Sequence, residues 1–264
     1  YAMAQGAPGA VVATADALMA RTMPPELLRD LSVILRVGER LDLSDLPDRL
    51  LSAGYVRCQQ VEGVGQFALR GGILDVFSPL MDQPVRCEFF DDEIDSMGAF
   101  DPGTQRRTAN LDSALILPAA EVLPRQAKGG LEGLGEKLLA LAGKLEKKGS
   151  PAAAHLREDG ERLKNGSVPE GMDRYLTAVY PKAAAGVHYL PQDALVFLCE
   201  AGRVDERVKG ALLQNRQDLE TLMEAGILAG DYAKLLLSAE ELYAALEAFP
   251  VIMAGALPTS RYPY

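Results

Sequence analysis

The sequence predicts a protein of mixed α/β and α+β class, in which a strand-rich segment lies between stretches of helical pattern. Residues 67–100 alternate apolar and polar side chains and carry turn signals such as Gly71-Gly72, which is typical of strands joined by tight turns. Residues 121–164 instead repeat leucine at helical spacing. Beyond them, helical and apolar strand-like stretches alternate, which is typical of an α/β unit.

Length and composition limit the classes of protein to consider. A chain of 264 residues is long enough for about two domains, and 48% apolar with 24% charged residues is typical of a soluble globular protein. The excess of 37 acidic over 27 basic side chains disfavours nonspecific binding to a phosphate backbone. The three cysteines are an odd number and have no CxxC spacing, so neither a disulfide framework nor a zinc site is indicated. No apolar run is long enough for a membrane helix. We therefore expect a cytoplasmic protein without membrane association.

The first residues predict the end of one structural unit. Val11 and Val12, followed by residues 13–21, are interpreted as the last strand and helix of a domain that begins upstream. Pro24 and Pro25 cannot continue a preceding helix, so they favour a fresh start.

A small α+β unit is predicted next. From Ser32 the pattern indicates a short strand through Leu35, a helix over residues 42–53 and strands from about Tyr55, ending near Pro118.

The second half predicts an α/β unit after the leucine-rich helical stretch. Residues 194–198 and 251–254 are predicted strands, and residues 203–248 are predicted to be mainly helical. Three lysines lie beside the leucine stripe: Lys144, Lys147 and Lys148. We interpret them as a solvated helix face rather than as a nucleic-acid patch.

Strand alternation assigns side chains to faces in the strand-rich segment. Arg70 falls on the polar face of the predicted strand at 67–70. In the predicted strand at 85–90, the even positions Arg86, Glu88 and Phe90 point outward together. Arginine and aromatic side chains are enriched at interface hot spots. From the pattern alone, a partly covered surface aromatic is the favoured interpretation of Phe90, and an interface anchor is the alternative.

Three motifs carry a resemblance to a known family. They are FALRGGILDVF at residues 67–77, PVRCEFFDDEIDS at 84–96 and FDPGTQR at 100–106. Together they resemble the damage-recognition module shared by UvrB and bacterial transcription-repair coupling factors (Mfd). LILPAAEVL at 115–123 is similar to the second family, so the chain resembles the N-terminal UvrB-homology region of the coupling factors.

The resemblance implies a domain arrangement. Residues 1–31 would end the first half of a degenerate UvrB-like α/β domain (domain 1A), and residues 119–264 would form its second half (domain 1B). Residues 32–118 would be the UvrB-type, strand-rich UvrA-interaction domain (domain 2), inserted into the degenerate helicase-like domain.

The resemblance also implies which residues bind the partner. The UvrA-contacting positions of the family fall on Arg70, Arg86 and Phe90. We expect the guanidinium groups to bind carboxylates of the partner and the phenylalanine to be a desolvated anchor.

Other motif residues have structural interpretations. Gly71 and Gly72 are expected to permit a bulge or a close approach. The neighbouring acidic residues are interpreted as solvated charges rather than a metal site: Asp75, Asp92, Glu93 and Asp95.

Nucleotide-site signatures are incomplete. Residues 130–137, GLEGLGEK, lack the Gly-Lys-Ser/Thr ending of a phosphate-binding loop and lie in a predicted helix. The strand 194–198 runs into Cys199 and Glu200, where a UvrB-like helicase carries an Asp-Glu pair for magnesium. A thiol cannot supply the hard oxygen ligand that Mg²⁺ takes, so these two residues are interpreted as a degenerate nucleotide site or, alternatively, as the end of an ordinary core strand.

The leading hypothesis is recruitment of UvrA during transcription-coupled nucleotide excision repair, without catalysis, cofactor or metal in this chain. ATP and Mg²⁺ are expected only in a translocase part outside it. The family further implies contacts with its own C-terminal domain, and with RNA polymerase and DNA through other domains. The alternatives are a fragment of an active UvrB-type ATP-dependent helicase and a DNA-binding element, which would need basic residues clustered on one face.

Overall fold

The computed structural model describes residues 1–7 and 9–255. These residues form two compact units. The first, here the sheet unit, is Glu26–Gln126, and it contains the whole interval 32–118 that was predicted as the interior domain. The second, here the helical unit, joins residues up to Pro25 with the described residues from Ala127 onward. Helices and several small sheets occur together, so the predicted mixed α/β and α+β class is confirmed.

In the described residues the α-helices are α1 (Ala15–Met19), α2 (Pro25–Leu31), α3 (Leu46–Ser52), α4 (Gly130–Glu146), α5 (Ala152–Lys164), α6 (Leu176–Val179), α7 (Ala201–Glu224) and α8 (Ala239–Leu246). None of them is long and apolar enough to cross a bilayer.

The β-strands of the same residues are β1 (Arg21–Thr22), β2 (Val33–Arg36), β3 (Val56–Arg57), β4 (Gln66–Arg70), β5 (Ile73–Val76), β6 (Val85–Phe90), β7 (Glu93–Phe100), β8 (Arg107–Asn110), β9 (Ser113–Ile116), β10 (Ala184–Ala185), β11 (Val196–Cys199) and β12 (Val251–Ala254).

A six-stranded sheet in the order β3-β4-β5-β6-β7-β8 is the frame of the sheet unit. All its neighbours are antiparallel except β3 and β4, and β2 pairs separately with β9. One face carries the main core, in which Phe67, Leu74 and Cys87 of the sheet pack with Leu46 and Leu50 of α3. The alternation of apolar residues along β4 to β6 produces this face, as the sequence predicts.

The opposite face of the same sheet is only partly covered. A small cluster of Val61, Ala68, Phe77 and Phe100 covers one end of it. The other end carries polar and exposed side chains, among them the predicted partner-binding residues Arg70 and Phe90.

The helical unit is built around a close helix pair. Gly135 of α4 and Gly160 of α5 let the two helices approach, since a Cβ on Gly135 would lie 2.7 Å from the Gly160 carbonyl oxygen. On α5, Asp159 is buried and accepts hydrogen bonds from Arg174 Nη2 and Tyr175 Oη, each at 2.6 Å. These hydrogen bonds hold α5 against the helical turn at residues 172–175.

Several predicted elements are corrected. The strand predicted at Val11 and Val12 is wrong, because both residues are exposed and neither pairs with a strand in the part of the chain that the structure describes. The helix predicted over 42–53 begins only at Leu46, because Asp42 Oδ1 instead accepts hydrogen bonds from the Ser44 amide and hydroxyl.

The helical stretch predicted over 121–164 is two helices. The break lies where Gly149 adopts a φ of +68° and Pro151 follows. The strand predicted over 194–198 is Val196–Cys199, and it pairs in parallel with Val251–Ala254, where the prediction was correct.

Candidate functional site

Register places the predicted partner-binding residues on one face of the six-stranded sheet. The two-residue turn Gly71-Gly72 sets Arg70 opposite Ile73, and Ile73 in turn lies opposite Glu88. On the same face, the next row holds Asp75 opposite Arg86. Cross-strand partners share a face, so the two arginines are neighbours although they belong to different strands, with β5 between them.

One buried carboxylate holds both arginines. Asp75 is fully buried, and its Oδ1 accepts a hydrogen bond from Arg86 Nε at 2.6 Å. Its Oδ2 accepts from Arg86 Nη2 at 2.8 Å and from Arg70 Nη2 at 2.6 Å. A buried carboxylate is tolerated only when it is paired and hydrogen-bonded, and here two guanidinium groups do both. The cluster keeps one net positive charge.

The interpretation of Asp75 as a solvated charge is therefore wrong. It failed because Arg70 and Arg86 from the neighbouring strands both bind Asp75 on its face of the sheet. Asp92 and Asp95 are exposed and Glu93 is half-buried, as expected for solvated charges. Among the described residues, no group of three or more His, Cys, Asp or Glu side chains is placed to hold a metal ion.

Arg86 lies on the predicted outward face, but its guanidinium is engaged within the chain. Besides the bidentate pair with Asp75, Nη2 donates to Gln105 Oε1 at 3.1 Å and Nη1 to the Gln105 carbonyl at 3.3 Å. The group lies 4.5 Å from the centroid of the Phe100 ring, and the side chain is 22% exposed. The hydrogen bond to Asp75 raises the pKa of Arg86, so its charge is permanent. Arg86 thus supports the face more than it projects from it.

Arg70 is the more available of the two arginines. Its side chain is 49% exposed, and only Nη2 is hydrogen-bonded among the described residues. The remaining N–H groups are free to donate to a partner, while Asp75 restrains the guanidinium. A partner carboxylate or carbonyl would meet a preoriented donor.

Phe90 is the exposed aromatic of this face, with 77% of its surface accessible. Alternation along β6 turns Phe89 toward the core and Phe90 outward, and a register shift between Glu88 and Phe89 pairs Phe89 with Ile94 and Phe90 with Glu93. The outward orientation predicted for Phe90 is confirmed. The next residue, Asp91, has a φ of +54°, so the strand ends at Phe90.

The Gly71-Gly72 turn between β4 and β5 lies close to the end of β6. Phe89 N donates to the Gly72 carbonyl at 2.7 Å, and a Cβ on Gly72 would lie 3.0 Å from the Phe89 carbonyl oxygen. Gly71 has a φ of +59°. The predicted close approach is confirmed, because a larger residue at position 72 would push β6 away.

Ile73 and Glu88 complete the surface, which we call the docking face: Arg70, Ile73, Glu88 and Phe90, supported by Asp75 and Arg86. Ile73 is 38% exposed, and Glu88 Oε2 accepts a hydrogen bond from Ser96 Oγ at 2.8 Å. Sequence reasoning missed Ile73 and Asp75. The signal for both is the two-residue Gly-Gly turn, which sets position 70 opposite 73 and position 68 opposite 75.

The degenerate nucleotide site predicted at Cys199 and Glu200 lies in the helical unit. Cys199 is exposed at the carboxyl end of β11, and Glu200 has a φ of +55° directly before α7. This is where a parallel strand pair presents ligand-binding residues in many α/β proteins. Residues 130–137 lie in α4, as predicted, so they form no phosphate-binding loop, and Lys137 Nζ instead donates to the Ala178 carbonyl at 3.1 Å.

Comparison with known proteins defines the class of the sheet unit. Residues 33–121 match the family model described as the UvrB interaction domain. The chain therefore carries a UvrB interaction domain. The docking face lies inside this domain.

The particular family follows from relatives that align beyond this domain. The transcription-repair-coupling factor of Bacillus subtilis (strain 168) is 30% identical over 226 residues, which are 84% of this chain and 19% of the relative. That of Staphylococcus aureus (strain Mu50) is 28% identical over 255 residues, or 95% of this chain and 21% of the relative. The Myxococcus xanthus factor is 45% identical over 114 residues, or 43% and 10%. The chain belongs to the transcription-repair-coupling factor family and, as expected from the resemblance, spans about a fifth of the length of the first of these relatives.

Proposed function

We propose that the docking face binds UvrA and that this chain recruits UvrA during transcription-coupled nucleotide excision repair. One observation carries the proposal. On a UvrB interaction domain, a guanidinium restrained by a buried carboxylate lies on the same sheet face as a phenylalanine that is 77% exposed. Large exposed aromatics and restrained arginines are the side chains that dominate the binding energy of protein interfaces.

The two chemical parts of the face have different roles in this proposal. Phe90 enters an apolar pocket of UvrA and supplies most of the area removed from water. Arg70 donates to a carboxylate or carbonyl at the rim of that pocket. Arg86 acts mainly through Asp75, because its own guanidinium is already engaged there. The half-exposed guanidinium of Arg70 favours an acidic group on the partner surface.

Catalysis is not part of the proposed role. The resemblance to UvrB-like helicases implies an aspartate at the position of Cys199, and residues 130–137 are helical. Both features support a chain without nucleotide hydrolysis. We propose that ATP and Mg²⁺ act in a translocase part of the whole protein, that RNA polymerase and DNA bind to other parts, and that a C-terminal domain covers the docking face until UvrA engages. The cytoplasm is the proposed compartment.

Calorimetric titration of the 264-residue chain with UvrA tests the docking proposal. Phe90→Ala and Arg70→Ala should each weaken binding by about 1–4 kcal/mol if they are hot spots. Two matched controls lie elsewhere on the same unit: Leu80→Ala removes another exposed apolar side chain, and Arg36→Ala removes an exposed arginine. Both controls should bind like the wild type.

Circular dichroism and a melting curve establish that each variant is folded. Equal affinities for the docking-face variants and their controls would move the site away from this face. An absence of any saturable binding by the wild type would reject UvrA as its direct partner.

A further inference from the structure

A cleft of about 590 Å³ in the helical unit is lined by an excess of basic side chains. Four cations line it, namely Arg21, Lys137, Lys144 and Lys234, against the carboxylate of Asp231 in the lining and that of Glu241, which pairs with Arg21 from outside the lining. The chain as a whole has a formal charge of −10, so this concentration of positive charge runs against its composition. Neither Cys199 nor Glu200 lines this cleft.

Helix geometry brings two of the cations together. Lys137 and Lys144 are two turns apart on α4, with Ala140 and Leu141 between them on the same face. Lys234 lies in the segment after Tyr232, whose ring centroid is 5.9 Å from Lys137 Nζ.

Two polar atoms of residues that line the cleft are buried without a hydrogen-bond partner among the described residues: Arg21 Nε and Thr177 Oγ1. Arg21 is otherwise well held, because Nη1 donates to the Ala183 carbonyl at 3.5 Å and Nη2 to Glu241 Oε1 at 3.1 Å. Buried donors are nearly always hydrogen-bonded, so these two leave hydrogen-bonding capacity for an acceptor at the wall of the cleft.

We propose that this cleft binds a compact phosphate-class anion with more than one negative charge. Guanidinium, ammonium and hydroxyl groups are the donors that proteins use for phosphate oxygens. The volume lies within the usual range of small-ligand pockets. A small anion fits better than a nucleic acid, because the cations converge on one cleft whereas a backbone would need a continuous basic stripe across an acidic protein.

Inorganic pyrophosphate is the probe for the first test, titrated calorimetrically into the 264-residue chain at low ionic strength. Lys144 and Lys234 are exposed, so the double variant Lys144→Gln/Lys234→Gln should fold normally. It should bind pyrophosphate about tenfold more weakly or worse, while Asp231→Asn should bind more tightly.

The matched control is Lys147→Gln/Lys148→Gln, which removes the same charge from exposed lysines near the end of α4 that do not line the cleft. This control should keep the wild-type affinity for pyrophosphate. Equal weakening in both double variants would reduce the effect to overall charge and overturn the proposal, as would the absence of saturable binding by the wild type.

A hydroxyl deletion provides an independent readout. Thr177→Val removes the unpaired hydroxyl at similar volume, so it should maintain or raise the melting temperature without anion and diminish the rise that pyrophosphate produces. An unchanged pyrophosphate shift would contradict a role of Thr177 in the site.

Two further ligands identify the source of the phosphate. Tighter binding of ADP than of pyrophosphate supports a nucleotide, and the converse supports an inorganic phosphate compound. Binding of short duplex DNA without binding of either small anion would overturn the proposal.

Discussion

Each unit of the molecule contains a buried aspartate held by an arginine, and the two sites differ in what they expose. In the sheet unit, Asp75 accepts from two arginines, one of which is 49% exposed. In the helical unit, Asp159 accepts from Arg174, which is 20% exposed, and from the buried Tyr175 hydroxyl. The same arrangement therefore has two uses. Asp75 restrains hydrogen-bond donors at a surface, whereas Asp159 satisfies polar groups that are packed between helices.

Removing either carboxylate should give the largest effect on stability. Asp75→Ala takes the carboxylate from the largely buried Arg86, and Asp159→Ala takes it from Arg174 and the buried Tyr175 hydroxyl. Each should lower the free energy of unfolding by about 4 kcal/mol. Urea unfolding followed by circular dichroism measures both values. A loss below about 1 kcal/mol in Asp75→Ala would show that water replaces the carboxylate and that Asp75 does not organise the face.

Two phenylalanines of the sheet unit sharpen the distinction between support and surface. Phe100 is fully buried beneath Arg86, so Phe100→Ala should cost about 3 kcal/mol of stability. Phe90→Ala should change stability by less than about 0.5 kcal/mol, because the exposed ring has little packing to lose. Thermal or urea unfolding of the two variants tests this, and comparable losses would mean that Phe90 packs onto its own chain.

Alkaline pH probes a buried tyrosine of the sheet unit. Burial raises the pKa of Tyr55 to about 12, and its hydroxyl donates to the Leu117 carbonyl. The unfolded pKa is about 10, so this contribution is complete below pH 10 and is lost between about pH 10 and 12. At pH 11 the wild type should have lost about 1.4 kcal/mol relative to its value at pH 8, for this group alone.

Tyr55→Phe is the variant that isolates this contribution. Its unfolding free energy, measured by urea titration at both pH values, should fall by less than that of the wild type. Parallel losses in the two proteins would assign the alkaline sensitivity to other groups, such as Tyr232, whose pKa burial also raises to about 12.

The smallest expected effect comes from Arg70→Lys. The charge remains, but the ammonium cannot both bind Asp75 and present further N–H groups in a fixed plane. We expect UvrA binding to weaken by about 1 kcal/mol with little change in stability. Full affinity in Arg70→Lys would reduce the role of this residue to its charge.

Alternation in β4 and β6 was sufficient to predict most of the outward-facing residues of the docking face from sequence, but not Ile73 on β5. It placed Arg70 and Phe90 outward, and both are exposed. It did not predict that Asp75 would be buried, because burial depends on which strand lies opposite, and the pairing of β5 with β6 spans a loop whose length gives no register. The engagement of Arg86 by Asp75 was missed for the same reason.

The helical unit was predicted in outline only. The strand 251–254 was predicted correctly because a short apolar run indicates a strand directly. The strand expected at Val11 and Val12 does not form, since an apolar pair carries no information about whether a neighbouring strand is present to pair with it. The cationic cleft was not foreseen either, because its four cations come from three separate segments of the sequence. Lys144 was interpreted as one of three solvated lysines, and only the fold separates it from Lys147 and Lys148.

The most direct test of the account compares the two buried carboxylates for UvrA binding. Asp75→Asn and Asp159→Asn remove the same charge with the same small change of shape, and circular dichroism with melting curves establishes that both are folded. Calorimetric titration with UvrA should then show binding weakened at least about tenfold in Asp75→Asn and unchanged in Asp159→Asn. Equal affinities in the two variants would contradict the claim that Asp75 organises the docking face.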